Sequence, residues 1–413
     1  MPEQPRPAVG GAPTGLIPSL VGIRGYLSLV VVAVHLAPFA VAMVPVTAAF
    51  FLPVWHHGYV ALDLFFVLSG FVISSGYART FARWPGRATF GKFLWARLSR
   101  FYPVHLAVLA AMVAAVLVSR AVGREIPHGG NLTWDLLRQI TLTSGWGGAH
   151  SLTWNGPVWS LSAEWACYLV LPLLLPLVQR LRTPAACLVG YLVACAIPLV
   201  VYSFIGFDDG TITYGMPLPR AFGAFLAGAA LYQLTTVSTR IPAWLGRMTG
   251  ALALVAFLAI VVASNLGVST MFALPLIGLV VPALAQRRGL LDHALSTRTS
   301  MIGGEYSVAL FLVHVPWILA ASLLINPRTF PGPAWGALGI VLLVLGAFVL
   351  AWLAYVLVER PAQKWMRTLV KRAPGAPAKP VEERVEAAVE HPREGERAPS
   401  ASAGGARQAT DGR

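Results

Sequence analysis

Charge is what this 413-residue sequence has least of: Asp, Glu, Lys and Arg together make up 12% of it, against about 25% in an ordinary soluble domain. With 56% hydrophobic residues beside that figure, a soluble multi-domain enzyme is excluded. Acidic residues are the scarcer sign, 17 against 31 basic ones, leaving a formal charge of +14. An excess of that size fits nucleic acid only when it forms a basic face on a soluble module. Here the basic residues sit in short clusters between long apolar runs, so no nucleic-acid partner is expected. Cysteine is also rare. Cys167, Cys187 and Cys195 lie inside apolar runs with no His or Cys at metal-ligand spacing, which argues against a disulfide framework, a zinc site or any bound metal. No convincing internal repeat of the kind found in many secondary transporters is present.

What the chain does have is apolar runs of about 16 to 25 residues, long enough as helices to cross a hydrocarbon core of about 30 Å. Ten are placed near 20–43, 58–78, 101–119, 158–179, 184–205, 218–235, 247–266, 270–285, 305–325 and 335–358. The first lacks a small-residue cleavage site and is read as a permanent span. Basic residues alternate between connections as the positive-inside rule requires. They concentrate at 79–100, 180–183, 236–247 and 286–302, are absent from 44–57 and 206–217, and are sparse elsewhere. The expected protein is an all-α, polytopic membrane helical bundle of about ten spans with both termini cytoplasmic, in a bacterial cytoplasmic membrane. Residues 1–19 form a short cytoplasmic segment and 20–361 the membrane domain. Residues 373–413, rich in Pro, Ala, Gly and Glu, read as a disordered cytoplasmic tail.

An ionisable side chain inside a span costs about 2.5–3.5 kcal/mol on insertion scales and marks a functional hypothesis. In the first span Arg24 precedes His35 by eleven positions, three turns plus roughly 20°, so both share one face, with Arg24 at the cytoplasmic mouth and His35 deeper. Asp63 enters the second span from the outer side, and Glu164 enters the fourth from that side too. His35, Asp63 and Glu164 are therefore expected at one level, a carboxylate fixing the imidazole tautomer as in triad chemistry. Ser160, Glu164 and Tyr168 recur at i, i+4 as a polar stripe, with Trp159 beside it as a further candidate. Arg97 and Arg100, at i and i+3 at the foot of the third span, suit bidentate phosphate recognition. His105 follows just inside, and His314 near the middle of the ninth span is either a second functional imidazole or a satisfied core histidine. Glu359 and Arg360 read as a structural ending. The outer loop 120–157 carries Asn131, Trp134, Trp146, His150, Trp154 and Asn155, whose aromatic faces and amides suit a carbohydrate, although Trp also anchors membrane interfaces.

The stretches GIRGYLSLVVVAVH, DLFFVLSGFVIS, RLSR, VWSLSAEWACYLVLPLL, YSVALFLVHVPW and VERP, in this order from residue 22 to 361, resemble the membrane acyltransferase 3 family, bacterial O-acyltransferases of surface polysaccharides and macrolides. The resemblance implies that His35 is catalytic, that Arg24 works with it, and that Arg97 and Arg100 serve acyl-CoA, a co-substrate rather than a bound cofactor. The sequence departs from the family at Ala163 and Trp165, which leaves the titratable positions untouched. A cell-envelope glycan or glycolipid is the expected acceptor, a macrolide or other secondary-metabolite sugar the alternative, and an acetyl group the expected acyl group. A proton-coupled glycan transporter, relaying protons through the buried His, Asp and Glu, is the competing reading from a different class. About 50 residues follow the last span, too few for the extra domain some family members carry, so a stand-alone form is expected.

Overall fold

The computed structural model describes residues 17–123, 132–148, 151–206, 211–238, 246–265 and 270–369. Asn131, His150, most of the N-terminal segment and the 373–413 tail lie outside them. The described residues form helices and no strand. In chain order these are α1 (Pro18–Met43), α2 (Ala48–His57), α3 (Val60–Tyr77), α4 (Gly86–Ala121), α5 (Leu132–Ile140), α6 (Val158–Val178) and α7 (Pro184–Ile205). Next come α8 (Leu218–Val237), α9 (Thr249–Asn265), α10 (Leu274–Ala285), α11 (Leu290–Leu295), α12 (Arg298–Ser322), α13 (Pro333–Ala354) and, after a π-helical turn at Tyr355–Glu359, α14 (Arg360–Thr368). All ten expected apolar stretches are helical. Seven helical segments, α1, α3, α4, α6, α7, α12 and Pro333–Thr368, are long and apolar enough to span a bilayer. The expectation of ten adds α8 to α10, of which α9 and α10 are shorter and α8 carries Arg220 in its first turn. The protein is an all-α polytopic membrane protein. All three cysteines are free and buried.

Two seams of glycine hold the bundle. A Cβ on Gly22 would lie 1.9 Å from the Leu295 carbonyl oxygen, one on Gly304 2.1 Å from that of Val21, and one on Gly25 2.7 Å from the Gly303 carbonyl carbon. Without side chains there, the backbone of α1 touches those of α11 and α12, the small-residue packing that apolar solvent favours because burial of apolar surface supplies no drive between helices in lipid. Higher up, Ser28 Oγ donates to Ser307 O at 3.2 Å, and His35 meets His314. Partner numbers rise together, so α1 and α12 run parallel, as charge alternation expects of a first and a ninth span. The second seam joins α3 to α8, where a Cβ on Gly70 would lie 1.9 Å from Phe225 O and one on Gly228 2.0 Å from Val67 O.

The segment between α4 and α6 departs from the expected outer loop. Tyr102 Oη donates to Ile140 O at 2.9 Å and the His105 ring nitrogen Nε2 to Gln139 O at 3.0 Å. Those α4 residues sit 16 to 19 positions before its last residue, about 24–29 Å along the axis, so the chain after α5 turns back into the bundle. Gln139, Leu142 and Asn155 are buried, which is how non-helical backbone is tolerated at membrane depth. The indole N–H groups of Trp146 and Trp154 are spent on Ser162 O and Leu132 O, both at 3.0 Å, so these rings brace the segment. The expected connection at 79–100 is also largely helix, because α4 starts at Gly86 and continues through Pro103.

Crowding at the first seam makes a test. Gly22→Val and Gly304→Val should each lower stability by about 1–3 kcal/mol through overpacking. Gly303→Ala, whose new methyl would meet its nearest atom at 3.9 Å, should be near neutral. Thermal unfolding in detergent reads the difference, and equal shifts for all three would contradict the packing described.

Candidate active site

A cavity opens between α1, α3, α4, α6, α12 and the C-terminal helices. Arg24, Arg97 and Arg100 all line it, as do Glu164 and Tyr168, so the sequence-predicted donor residues and the lower part of the polar stripe share one chamber. Arg97 lies over the Tyr77 ring at 5.7 Å. Glu164 accepts from Tyr168 Oη at 2.6 Å and from Ser69 Oγ of α3. Glu359, expected to be a structural ending, is a buried wall residue of the same chamber, with one oxygen accepting from Gln363 Nε2 at 3.0 Å and its Oε2 without a hydrogen-bond partner. Arg24 and Arg100 lie within electrostatic reach of it. Arg360, Lys364 and Arg367 complete the basic lining. Six cations against Glu164, Glu305 and Glu359 leave the chamber positive, suited to an anion.

The chamber's lining ends on α1 at Arg24 and on α12 at Val308. Three turns beyond Arg24, about 16 Å along α1, stands His35. Its ring meets that of His314 with centroids 5.0 Å apart and planes at 66°. His35 Nδ1 is 2.9 Å from Val31 O, and His314 Nδ1 is 3.1 Å from Leu310 O. A carbonyl oxygen can only accept, so in the neutral rings both Nδ1 atoms carry the hydrogen, which assigns the tautomers. His314 Nε2, 3.2 Å from His35 Nδ1, is then an acceptor aimed at that N–H, and the lone pair of His35 sits on Nε2. Asn155, from the segment that turns back into the bundle, donates Nδ2 to Leu312 O at 2.8 Å, two residues from His314.

The expected convergence of three groups at one level is not what the helices produce. Among the described residues, His35 bonds Val31 O and His314, and neither Asp63 nor Glu164 reaches it. Asp63 is in the first turn of α3, whereas Glu164 bonds Ser69 six residues further on, about 9 Å deeper. Asp63 instead forms a buried ion pair with Arg220 of α8, Nε to Oδ1 at 2.5 Å and Nη2 to Oδ2 at 3.1 Å. Arg220 also donates to Tyr59 O at 2.7 Å and lies over the rings of Tyr59 and Trp159 at 4.9 and 5.7 Å. Trp159 thus belongs with this pair, and Ser160 turns its hydroxyl back to Pro157 O at 3.1 Å instead of extending the Glu164 stripe. Arg220 escaped notice in the sequence, although a lone Arg in the first turn of a span entering from the same side as Asp63 is the readable signal for such a pair.

Residues 17–355 match the model of the acyltransferase 3 family, described as an acyltransferase domain, and the chain belongs to that family. It is similar to "Acyltransferase MdmB" of Streptomyces mycarofaciens, 28% identical over 388 residues, 88% of this chain and 95% of that protein. It is also similar to "Putative peptidoglycan O-acetyltransferase YrhL" of Bacillus subtilis (strain 168), 25% identical over 84% of this chain and 54% of the longer relative. "Protein 2 in picA locus" of Rhizobium radiobacter is 31% identical over 118 residues, 27% of this chain and 59% of that protein. No solved structure matches. The family and these relatives make the protein an O-acyltransferase.

Removing one partner of a buried pair strands the other, at about 3–5 kcal/mol, whereas an apolar replacement of both is often neutral. Arg220→Met should accordingly reduce folded yield and thermal stability sharply, and the double variant Asp63→Leu, Arg220→Met should recover most of it, measured by size-exclusion profile and melting in detergent.

Proposed function

We propose that this protein transfers an acyl group, in the first instance acetyl, from acyl-CoA bound at the arginine chamber to a hydroxyl of a cell-envelope glycan or glycolipid, in a bacterial cytoplasmic membrane with the arginine end inward. The observation that carries this reading is that one helix, α1, presents Arg24 to the anion-binding chamber and, three turns on, His35 to a paired imidazole. The name printed for the Bacillus relative supports the acceptor class. Family membership favours this over the transporter reading.

In the reaction, His35 Nε2 takes the proton of the acceptor hydroxyl as its oxygen attacks the thioester carbonyl, a role typically worth 10²–10⁴ in rate. The C–S bond breaks as the intermediate collapses, and the departing thiolate takes the proton back from His35. His314 occupies the place a carboxylate holds in a triad: its Nε2 accepts from His35 Nδ1–H, holding the productive tautomer and stabilising the imidazolium. Glu164, tied to Ser69 and Tyr168, shapes the wall along which the acyl arm rises.

Purified protein in lipid nanodiscs with radiolabelled acetyl-CoA and glycan fragments provides the assay. His35→Ala should lower kcat by about 10²–10⁴ while keeping a monodisperse size-exclusion profile. Retained transfer would overturn the assignment. His314→Leu should lower kcat by about tenfold or more with the donor KM unchanged, and His314→Gln, whose amide oxygen can still accept from Nδ1–H, should restore part of it. Loss in the glutamine variant equal to that in the leucine variant would leave His314 a packing residue. Mass spectrometry of envelope glycans from a deletion strain separates the classes, because a transporter would leave the ester modification unchanged.

A further inference from the structure

One wall of the chamber is lined by α14, which lies beyond the residues matched by the family model. The π-helical turn at Tyr355–Glu359 inserts an extra residue into the last long helix and re-phases the turns beyond it, a feature common at functional sites. In α14, Arg360, Lys364 and Arg367 stand at i, i+4 and i+7, within about 60° of one another around the axis, and all three line the chamber. Trp365 and Leu369 point the other way and are 63% and 55% exposed. The helix is fastened by Trp95 Nε1 donating to Met366 O at 2.8 Å. Gln363 joins it to the chamber wall, donating to Glu359 and accepting from Arg367 Nη2 at 3.2 Å.

A positive-inside signal needs charge at a helix end but not one shared face turned into a cavity. We infer that Arg360, Lys364 and Arg367 form, together with Arg97 and Arg100 in the same chamber, a phosphate site that holds the nucleotide end of the thioester donor while its acyl arm runs up α1. This rests on the acyl-CoA reading above and deepens it. Phosphate is a ligand to which guanidinium forks and a lysine ammonium are well matched. The same chemistry could be offered by an anionic lipid headgroup, but Arg360, Lys364 and Arg367 all line the chamber, Lys364 at its exposed rim, whereas Trp365 does not, which favours the soluble nucleotide.

The test uses the full-length protein in phosphatidylcholine nanodiscs with and without phosphatidylglycerol, and three donors: acetyl-CoA, acetyl-dephospho-CoA and S-acetylpantetheine, which has no nucleotide. Lys364→Gln and Arg367→Gln should each raise KM for acetyl-CoA about tenfold with kcat unchanged. KM for S-acetylpantetheine should not move, and acetyl-dephospho-CoA should fall between. Unchanged KM for acetyl-CoA, or an equal rise for S-acetylpantetheine, would overturn the site. An effect that appears only with phosphatidylglycerol would assign the face to lipid and overturn it as well. Equilibrium dialysis with free CoA keeps the two readings apart. Tight binding by wild type, weakened about tenfold in both variants, upholds the phosphate site even if wild type transfers nothing from acetyl-CoA, a failure that would fall on the donor reading alone. Equal binding by wild type and variants, or none by wild type, overturns the site.

Discussion

The backbone contact between α1 and α12 is the constraint from which the site's geometry derives. Gly25 and Gly304 bring the two parallel helices to touching distance, with Gly22 against the end of α11 just before, and that fixes both their rotation and their register. Once Val21 lies against Gly304 and Ser28 against Ser307, the next turns of the same two helices must bring His35 to His314. The lower turns at the same time present Arg24 beside Glu305 in the chamber. A single wedge at the seam therefore acts on the anion-binding residues and on the imidazole pair together, because both are borne by one rigid helix. Lipid provides no hydrophobic drive between helices, so close packing of this kind is one of the few ways to set a register.

A low-dielectric surround explains the rest of the polar design. A carboxylate in the first turn of α3 cannot stay unpaired, and Arg220 from α8 meets it with two hydrogen bonds and a bond to Tyr59 O. The segment after α5 follows the same rule in part, Leu142 O accepting from Ser162 Oγ of α6 and Asn155 Nδ2 donating to Leu312 O of α12. Glu164 is served by two hydroxyls and faces a chamber rich in cations, where a carboxylate is tolerable. Polar groups here divide into those consumed by the fold and those that face a space.

Much was legible in one dimension. Apolar run length marked ten stretches that are all helical, and charge alternation ordered α1 and α12 as parallel, as they are. The shared face of Arg24 and His35, the Arg97 and Arg100 pair and the Glu164 to Tyr168 step are properties of single helices with a fixed period, and each stands in the structure where that period puts it. Depth was misjudged where it had to be compared between helices. Counting residues from the apparent end of a span put Asp63 and Glu164 at one height, but Glu164, the seventh residue of α6, reaches Ser69, six residues past Asp63 on α3.

The sequence by itself determined an all-α membrane bundle, its family and the helices that bear the titratable groups, because hydrophobic length and the 3.6-residue repeat are local quantities. Tertiary structure decided who meets whom: His35 with His314, Asp63 with Arg220, and the basic residues of α14 with Arg97 and Arg100 in one chamber. Those pairings depend on the rotation and axial offset of one helix against another, which small-residue contacts and buried polar bonds hundreds of positions apart set jointly, and no window of sequence contains both partners.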